Sequence, residues 1–265
     1  MKNDERSEAI INFNGFPLMK ITIFPLLNFP IINPGDALEE ILIEELRKVE
    51  IFDDDIVVIA HTIVSKAENK VFDLSEIVPS PLAQHIGKIQ DKDPRKVEIV
   101  LRESNEIVRM NERVLITATK HGFVCANSAV DKSNAPGETI ISLPDDPDLS
   151  ARKIRDKISS DLGKDVAVII TDTFGRPLRV GTVNFAIGIA GINPLEDVRG
   201  RRDLFGYEMK STIIARADEI AAAAGIVMGQ ADEGTPVIIV RGVNYTKSEA
   251  FITELIRDQS MDVFR

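Results

Sequence analysis

The sequence predicts an α+β fold with mixed sheets and packed helices. Helix-like and strand-like segments are intermixed without the regular alternation of a doubly wound sheet. Val114 to Thr119 and Gly122 to Ala126 flank Lys120-His121 as an antiparallel hairpin, which a purely parallel sheet would not contain. The clearest helical period, Ser211 to Gly229, falls late in the chain and is followed by an apolar strand-like run, Val237 to Val240.

The elements follow in order. Lys20 to Phe24 reads as a first strand. Asp36 with Glu39 has the spacing of a capping box, ahead of the periodic Leu38, Ile41, Leu42 and Leu46. Ile56 to Ala60 is a strand, and His61 to Glu68 continues from its end. Ser80-Pro81 has the order of N-cap and first helical residue, and Pro94 opens a second helix to about Arg102. After the hairpin comes a polar loop, Asn127 to Glu138. Leu149 to Leu162 is helical and stops at Gly163. Val166 to Thr171 and Asn184 to Ala190 are strands. The long helix buries Ile213, Ile214, Ala217, Ile220, Ala221, Ala224 and Met228, and Ser248 to Arg257 is a closing helix.

With 265 residues the chain fits one large domain or two modest ones. The N-terminus, MKNDERSEAIINFNG, reads as a mobile polar extension over residues 1–19; residues 20–265 form the folded unit, with no readable boundary between subdomains. No apolar run reaches the roughly 18 to 20 residues of a membrane span. A net charge of −10 argues against general nucleic-acid binding, which draws on basic surface. It leaves room for a small phosphorylated ligand, because a bound divalent cation reverses the local sign. The lone Cys125 allows no internal disulfide and fits a reducing cytoplasm.

Four stretches end an apolar element with dense polar side chains. In His61-Thr62-Ile63-Val64-Ser65-Lys66, a lysine beside hydroxyls can serve as a point charge on a phosphate, although a solvated strand exit would read the same way. Asn127 to Asn134 packs donors and acceptors around Asp131, as would an ordinary Asx-rich loop. Ile170-Thr171-Asp172-Thr173-Phe174-Gly175-Arg176-Pro177 offers Asp172 and Thr173 as oxygen ligands for a hard cation and Arg176 as an anion partner. Met228 to Pro236 bends between two glycines, which permits close backbone approach to a ligand and equally suits a helix-to-strand loop. Neither the dinucleotide fingerprint nor a Walker P-loop occurs. His61, His85 and His121 lack metal-ligand spacing, Cys125 reads as packing, and Asp53-Asp54-Asp55 reads as a solvated turn. No Ser-His-Asp set can be argued from the order of residues. Arg199, Arg201 and Arg202 read as an anion contact or a surface ion-pair patch.

Six stretches carry a family resemblance over about Lys20 to Asn244: FPIINPGD from Phe29, HTIVSKAEN from His61, GFVCANSAVDKSN from Gly122, ITDTFGRPLRVGTVNFAIGIAG from Ile170, PLEDVRGRRDLFG from Pro194 and ADEIAAAAGIVMGQADEGTPVIIVRG from Ala217. Together they resemble the coenzyme F-420 gamma-glutamyl ligases. The resemblance implies a GTP-dependent enzyme that adds one or two gamma-linked L-glutamates to the deazaflavin precursor F-420-0, through an acyl phosphate, releasing GDP and phosphate. It implies that Asp131, Asp172, Thr173 and Gln230 ligate Mg²⁺ or Mn²⁺ as a pair of ions, with K⁺ as a further candidate. It implies that Phe29, Pro30, Ile31, Ile32, His61, Thr62, Lys66, Asn134, Met228, Gly229, Gln230, Ala231, Asp232, Glu233, Gly234 and Thr235 hold GTP. Asp131 and Asp172 are then the catalytic carboxylates, with Arg176 and the Arg199 to Arg202 segment our own candidates for phosphate contacts. An intertwined homodimer with a gamma-glutamyl ligase-type α+β fold is expected. Such proteins often carry glycine where this chain has Ala129. Two other readings stay open: a metal-dependent nucleotide phosphohydrolase using Asp131, Asp172 and Thr173, and a deazaflavin-binding module without turnover.

Overall fold

The computed structural model describes residues 20–263; the expected N-terminal extension lies outside the described residues. The main sheet runs β1 (Thr22–Pro25), β12 (Val237–Arg241), β2 (Ile56–Ala60), β8 (Ala167–Arg176) and β9 (Arg179–Ala190) in spatial order. Only the β2–β8 pair is parallel; the others are antiparallel. Its three inner strands are near-continuous apolar runs because both faces are covered: Ile56 to Ile59, Ala167 to Ile170 and Val237 to Ile239 are wholly buried. Helices α5 (Pro147–Leu162) and α6 (Arg216–Met228) supply the cover, both packed on β9, and α1 (Leu38–Leu46) packs against α5.

Strand β9 borders the sheet, so one side of its backbone lacks a partner strand. Two helix carboxylates meet it there: Ile189 N–H donates to Asp148 of α5 at 2.8 Å, and Ala186 N–H to Asp218 of α6 at 3.0 Å. Burial raises the pKa of both carboxyl groups from the ordinary aspartate value, and the backbone N–H bonds oppose that shift.

A smaller part is built from β3 (Val71–Asp73), α3 (Pro81–Gln90), α4 (Pro94–Arg102), the sheet of β4 (Ser104–Met110), β5 (Leu115–Thr119) and β6 (Val124–Ala126), and β7 (Thr139–Ile141). It has its own apolar clusters, one around Ala83, Ile86, Val97, Val100 and Leu115, the other around Leu74, Ile99 and Ile140. The chemistry at Ser80 is as expected: its Oγ accepts from Ala83 N–H and Pro81 opens the helix. Gly163 closes α5 in the left-handed conformation.

Several expectations are corrected. The Asp36 capping box does not form, because Asp36 Oδ2 turns back to accept from Asn33 N–H at 2.7 Å and Ala37 holds the N-cap position. The long helix begins at Arg216; Ile213–Ala215 form strand β11, paired with β10 (Leu195–Asp197). The closing helix is a single 3₁₀ turn, Ile252–Leu255, since the Ile252 N–H is taken by Asp148 at 3.0 Å. His61–Ala67 is a short helix, α2. Asp53-Asp54-Asp55 is not simply a solvated turn: Asp55 is 1% exposed and pairs bidentately with Arg241, both contacts at 2.7 Å.

Two arms leave the body. The β8–β9 turn exposes Leu178 and Val180, and residues 198–212 between β10 and β11 expose Leu204 and Phe205, each of the four more than nine-tenths accessible. Arg199 and Arg201 are occupied on this second arm by Asp197 and Glu196.

Candidate active site

The parallel pairing of β2 with β8 ends at Ala60 and Thr171. His61, the first residue of α2, and Asp172, the next residue of β8, follow directly at the carboxyl end of this parallel pair, where a sheet of mixed direction leaves a crevice. At the same end β1 finishes and β12 begins, which brings in the loop after β1 and the loop after α6. A cavity of about 510 Å³ opens here, and residues from all these segments line it. The sequence reading ended this strand at Thr171 with Asp172 just beyond it; β8 instead runs on to Arg176 through its pairing with β9, so Asp172 lies within the strand.

His61 Nε2 lies 3.3 Å from Asp172 Oδ1, and its Nδ1 lies 3.2 Å from Ser65 Oγ. The structure thus does assemble a Ser-His-Asp chain that the order of residues hides. Ser65 is fully buried and does not reach the cavity, so this chain orients the imidazole and has no exposed nucleophile. Burial, with a smaller contribution from the nearby Asp172, pushes the Cys125 thiol up to about 12; it is inert packing, as expected.

Across the cavity, Thr173 Oγ1 donates to Gln230 Oε1 at 2.9 Å, and Gln230 Nε2 donates to Asn184 Oδ1 at 2.9 Å. Among the described residues no three His, Cys, Asp or Glu side chains are grouped to hold a metal. Three carboxylates line the cavity; Glu233 is folded back onto Ala231 N–H, which leaves Asp131 and Asp172, with the hydroxyl of Thr173 and the amide oxygen of Gln230. An all-oxygen set with two carboxylates fits a hard divalent cation that completes its shell with substrate oxygens or water, and does not fit structural zinc.

Asp131 comes from the smaller part, fixed by a two-way backbone bridge to Ile141 (2.9 and 2.8 Å), and its Oδ1 accepts from Ser133 N–H. Just before it, Asn127, Ser128 and Ala129 all have positive φ, at 53°, 51° and 56°. A left-handed turn costs about 1–2 kcal/mol per non-glycine residue. Buried hydroxyls hold it: Ser128 Oγ lies 2.6 Å from Ser104 Oγ and 2.7 Å from Thr117 Oγ1. Ala129→Gly removes that strain at a chain-entropy cost of about 0.5–1 kcal/mol. We expect a net gain of about 0.5–1 kcal/mol, read from the urea midpoint; a loss of stability would show that the turn is not strained.

Lys66, on α2, lines the cavity and has no carboxylate within ion-pair distance among the described residues; burial lowers its pKa. The loop after α6 starts at Gly229, whose φ is +72°. A Cβ there would lie 2.0 Å from the Glu233 carboxyl carbon, so only glycine lets that carboxylate fold back onto Ala231 N–H, at 2.8 Å.

Of the sequence candidates, Phe29, Pro30, Ile31, Ile32, Thr62, Asn134, Met228, Ala231, Gly234 and Thr235 also line this cavity. Asp232 and Arg176 do not; Arg176 lies near the tip of the β8–β9 turn, donating to Val180 O. The Arg199 to Arg202 segment also lies outside it. Sequence reasoning missed Thr171 and Asn184 as lining residues. The signal for Asn184 was an amide followed directly by an apolar strand run, Phe185 to Ala190.

The cavity thus combines oxygen donors of the kind a hard cation takes with a lysine that has no carboxylate partner among the described residues. The comparisons with known proteins give its class as an amide-forming ligase. A family model described as F420-0:Gamma-glutamyl ligase matches residues 26–242. A "Coenzyme F420:L-glutamate ligase" of Methanocaldococcus jannaschii is 48% identical over 239 residues, 90% of this chain and 95% of that protein. Proteins of the same description from Methanopyrus kandleri (47% identical; 95% of this chain, 99% of that protein) and Methanothermobacter thermautotrophicus (44%; 93% and 100%) also match. The chain belongs to the F420-0:gamma-glutamyl ligase family.

Proposed function

We propose that this chain joins L-glutamate to the terminal carboxylate of F-420-0, and in a second round to the γ-carboxylate of the glutamate already added, at the expense of GTP. A carboxylate oxygen of the precursor attacks the γ-phosphorus of GTP, the bond to the bridging oxygen breaks, and GDP leaves. The glutamate amine then attacks the acyl phosphate carbonyl; the C–N bond forms, phosphate departs, and the amine gives up a proton. Such chemistry needs positioning and charge neutralisation rather than a protein nucleophile. The observation that carries the reading is the meeting of Asp131 with Asp172, Thr173, Gln230 and Lys66 on one cavity. Mg²⁺ or Mn²⁺, as one or two ions, would be held by Asp131, Asp172, Thr173 and Gln230, and would neutralise phosphate charge; K⁺ is a further candidate. The loops 29–32 and 228–235, with His61, Thr62, Lys66 and Asn134, would hold the nucleotide. Among the described residues no helix is long and apolar enough to cross a membrane, and we place the reaction in the cytoplasm.

Mass spectrometry of precursor, L-glutamate and GTP incubated with the protein tests this directly, by a mass increase of one or two glutamyl units. GDP release without precursor or glutamate would identify a phosphohydrolase instead. Tight deazaflavin binding without turnover, indifferent to chelators, would identify a binding module. Lys66→Ala should weaken GTP by roughly 10- to 100-fold, the loss of a charge-assisted contact, with little change in the glutamate KM. The opposite pattern would move Lys66 to the acceptor side.

We also propose that the chain works as a homodimer. The support is two projecting arms, one carrying Leu178 and Val180 and the other Leu204 and Phe205, with all four side chains almost fully exposed to water. Light scattering should give twice the chain mass of 29.3 kDa. Phe205→Glu should halve it, and a single-chain mass for the parent protein would overturn the proposal.

A further inference from the structure

Asn184 sits in β9 with 5% of its surface exposed. Its Oδ1 accepts from Gln230 Nε2 at 2.9 Å and lies 3.2 Å from Thr173 Oγ1. Its Nδ2 faces Met228 Sδ at 3.6 Å, a weak acceptor, which leaves the oxygen end to the polar pair. The opposite helix is shaped around this side chain: a Cβ on Gly225 of α6 would stand 2.8 Å from Asn184 Cγ.

The Thr173 hydroxyl has one proton and two acceptors within reach, Gln230 Oε1 and Asn184 Oδ1. With the proton on Gln230, the Gln230 oxygen is engaged by the hydroxyl. Rotating the hydroxyl alone moves the proton to Asn184 and frees Gln230 Oε1, with no heavy atom displaced. The same Asn184 oxygen holds the Gln230 NH₂ group, so that end of the amide does not turn its donors toward a cation.

We propose that Asn184 is a positioning residue that turns the oxygen ends of Thr173 and Gln230 into the cavity for a divalent cation. The inference rests on the metal-dependent reading above and adds to it the group that sets the donor orientation. What matters is one buried oxygen able to accept twice, so Asp is the conservative replacement and Leu, of similar size, is the disabling one.

The test is Mn²⁺ titration of the nucleotide-free full chain, followed by the electron paramagnetic resonance signal of free Mn²⁺, with thermal unfolding alongside. Asn184→Leu should raise the Mn²⁺ Kd by roughly 10- to 100-fold, the usual effect of removing an outer hydrogen-bond partner of a metal ligand. Asn184→Asp should stay within a few-fold of the parent. In turnover, Asn184→Leu should need more Mn²⁺ for half-activation while kcat recovers at saturating metal, a split that lost packing alone would not produce. Folded Asn184→Leu with parental Mn²⁺ affinity would overturn the proposal, as would Asn184→Asp binding as weakly as Asn184→Leu. If Asn184→Leu fails to fold, Gly225→Ala keeps the amide but pushes it from the opposite helix. It should also weaken Mn²⁺, and parental affinity there would overturn the proposal. Asp172→Asn separates the two levels. If it binds Mn²⁺ like the parent, the metal reading fails and the inference with it; if it loses Mn²⁺ while the Asn184 and Gly225 variants do not, the inference alone fails.

Discussion

Asp172→Asn should give a folded protein whose turnover falls by more than roughly a hundredfold. Removing a partner that only steadies a metal ligand already costs 10- to 100-fold, and replacing a ligand that also supplies negative charge should cost more. In barrier terms a hundredfold is about 2.7 kcal/mol. The substitution is nearly isosteric, and an amide oxygen can still accept from Thr173 N–H, which meets Asp172 Oδ1 at 2.6 Å. The fold should therefore hold, and an unfolding midpoint within a few degrees of the parent is the control. The informative measurement is the rate at limiting Mg²⁺ or Mn²⁺, where a lost ligand shows most. Near-parental turnover there would remove Asp172 from the metal-ligating role and leave it only as the partner of His61.

Asp55→Ala should destabilise the protein by about 3 kcal/mol without direct effect on the cavity, which Asp55 does not line. Asp55 takes two contacts from Arg241 and one from Phe52 N–H, at 2.7, 2.7 and 2.9 Å, while itself almost wholly buried. Arg241 lies over the Phe52 ring at 4.2 Å and the Phe24 ring at 5.3 Å, which joins β1, β12 and the turn before β2. Breaking a buried pair costs about 3–5 kcal/mol because one charge is stranded. The Arg241 side chain is 30% exposed and can recover some hydration, so the lower end applies. The urea midpoint at constant slope is the measurement; a change below about 1 kcal/mol would place this pair with ordinary surface ion pairs.

What was legible in the sequence was local. Ser80-Pro81 and Gly163 announced helix ends through chemistry complete within a few residues, and both ends stand as read. Elements that depend on distant partners were not legible. Ile213 and Ile214 fit the period of the following helix, yet they pair with Glu196 and Asp197 across residues 198–212. Ala250, Phe251, Ile252 and Leu255 have a helical look, but a buried carboxylate from α5 captures the Ile252 N–H. Strand β4 is half charged and polar with two irregularities in its register, so it shows no clean alternation. The site divided in the same way. Each polar stretch could be marked from its density of oxygens and glycines. Their meeting depends on the parallel register of Ile56–Ala60 with Ala167–Thr171 and on the bridge of Asp131 to Ile141, neither of which any short stretch encodes.

The two helix carboxylates that take the Ile189 and Ala186 N–H groups have a consequence for self-recruitment. An outermost strand with open amides is a template on which a stray extended chain can add and begin a fibre. Here two of those docking points are already filled by groups anchored in helices, so growth of the sheet by lateral addition is discouraged at that border. The proposed pairing of two copies would then fall to the projecting arms that carry Leu178, Val180, Leu204 and Phe205.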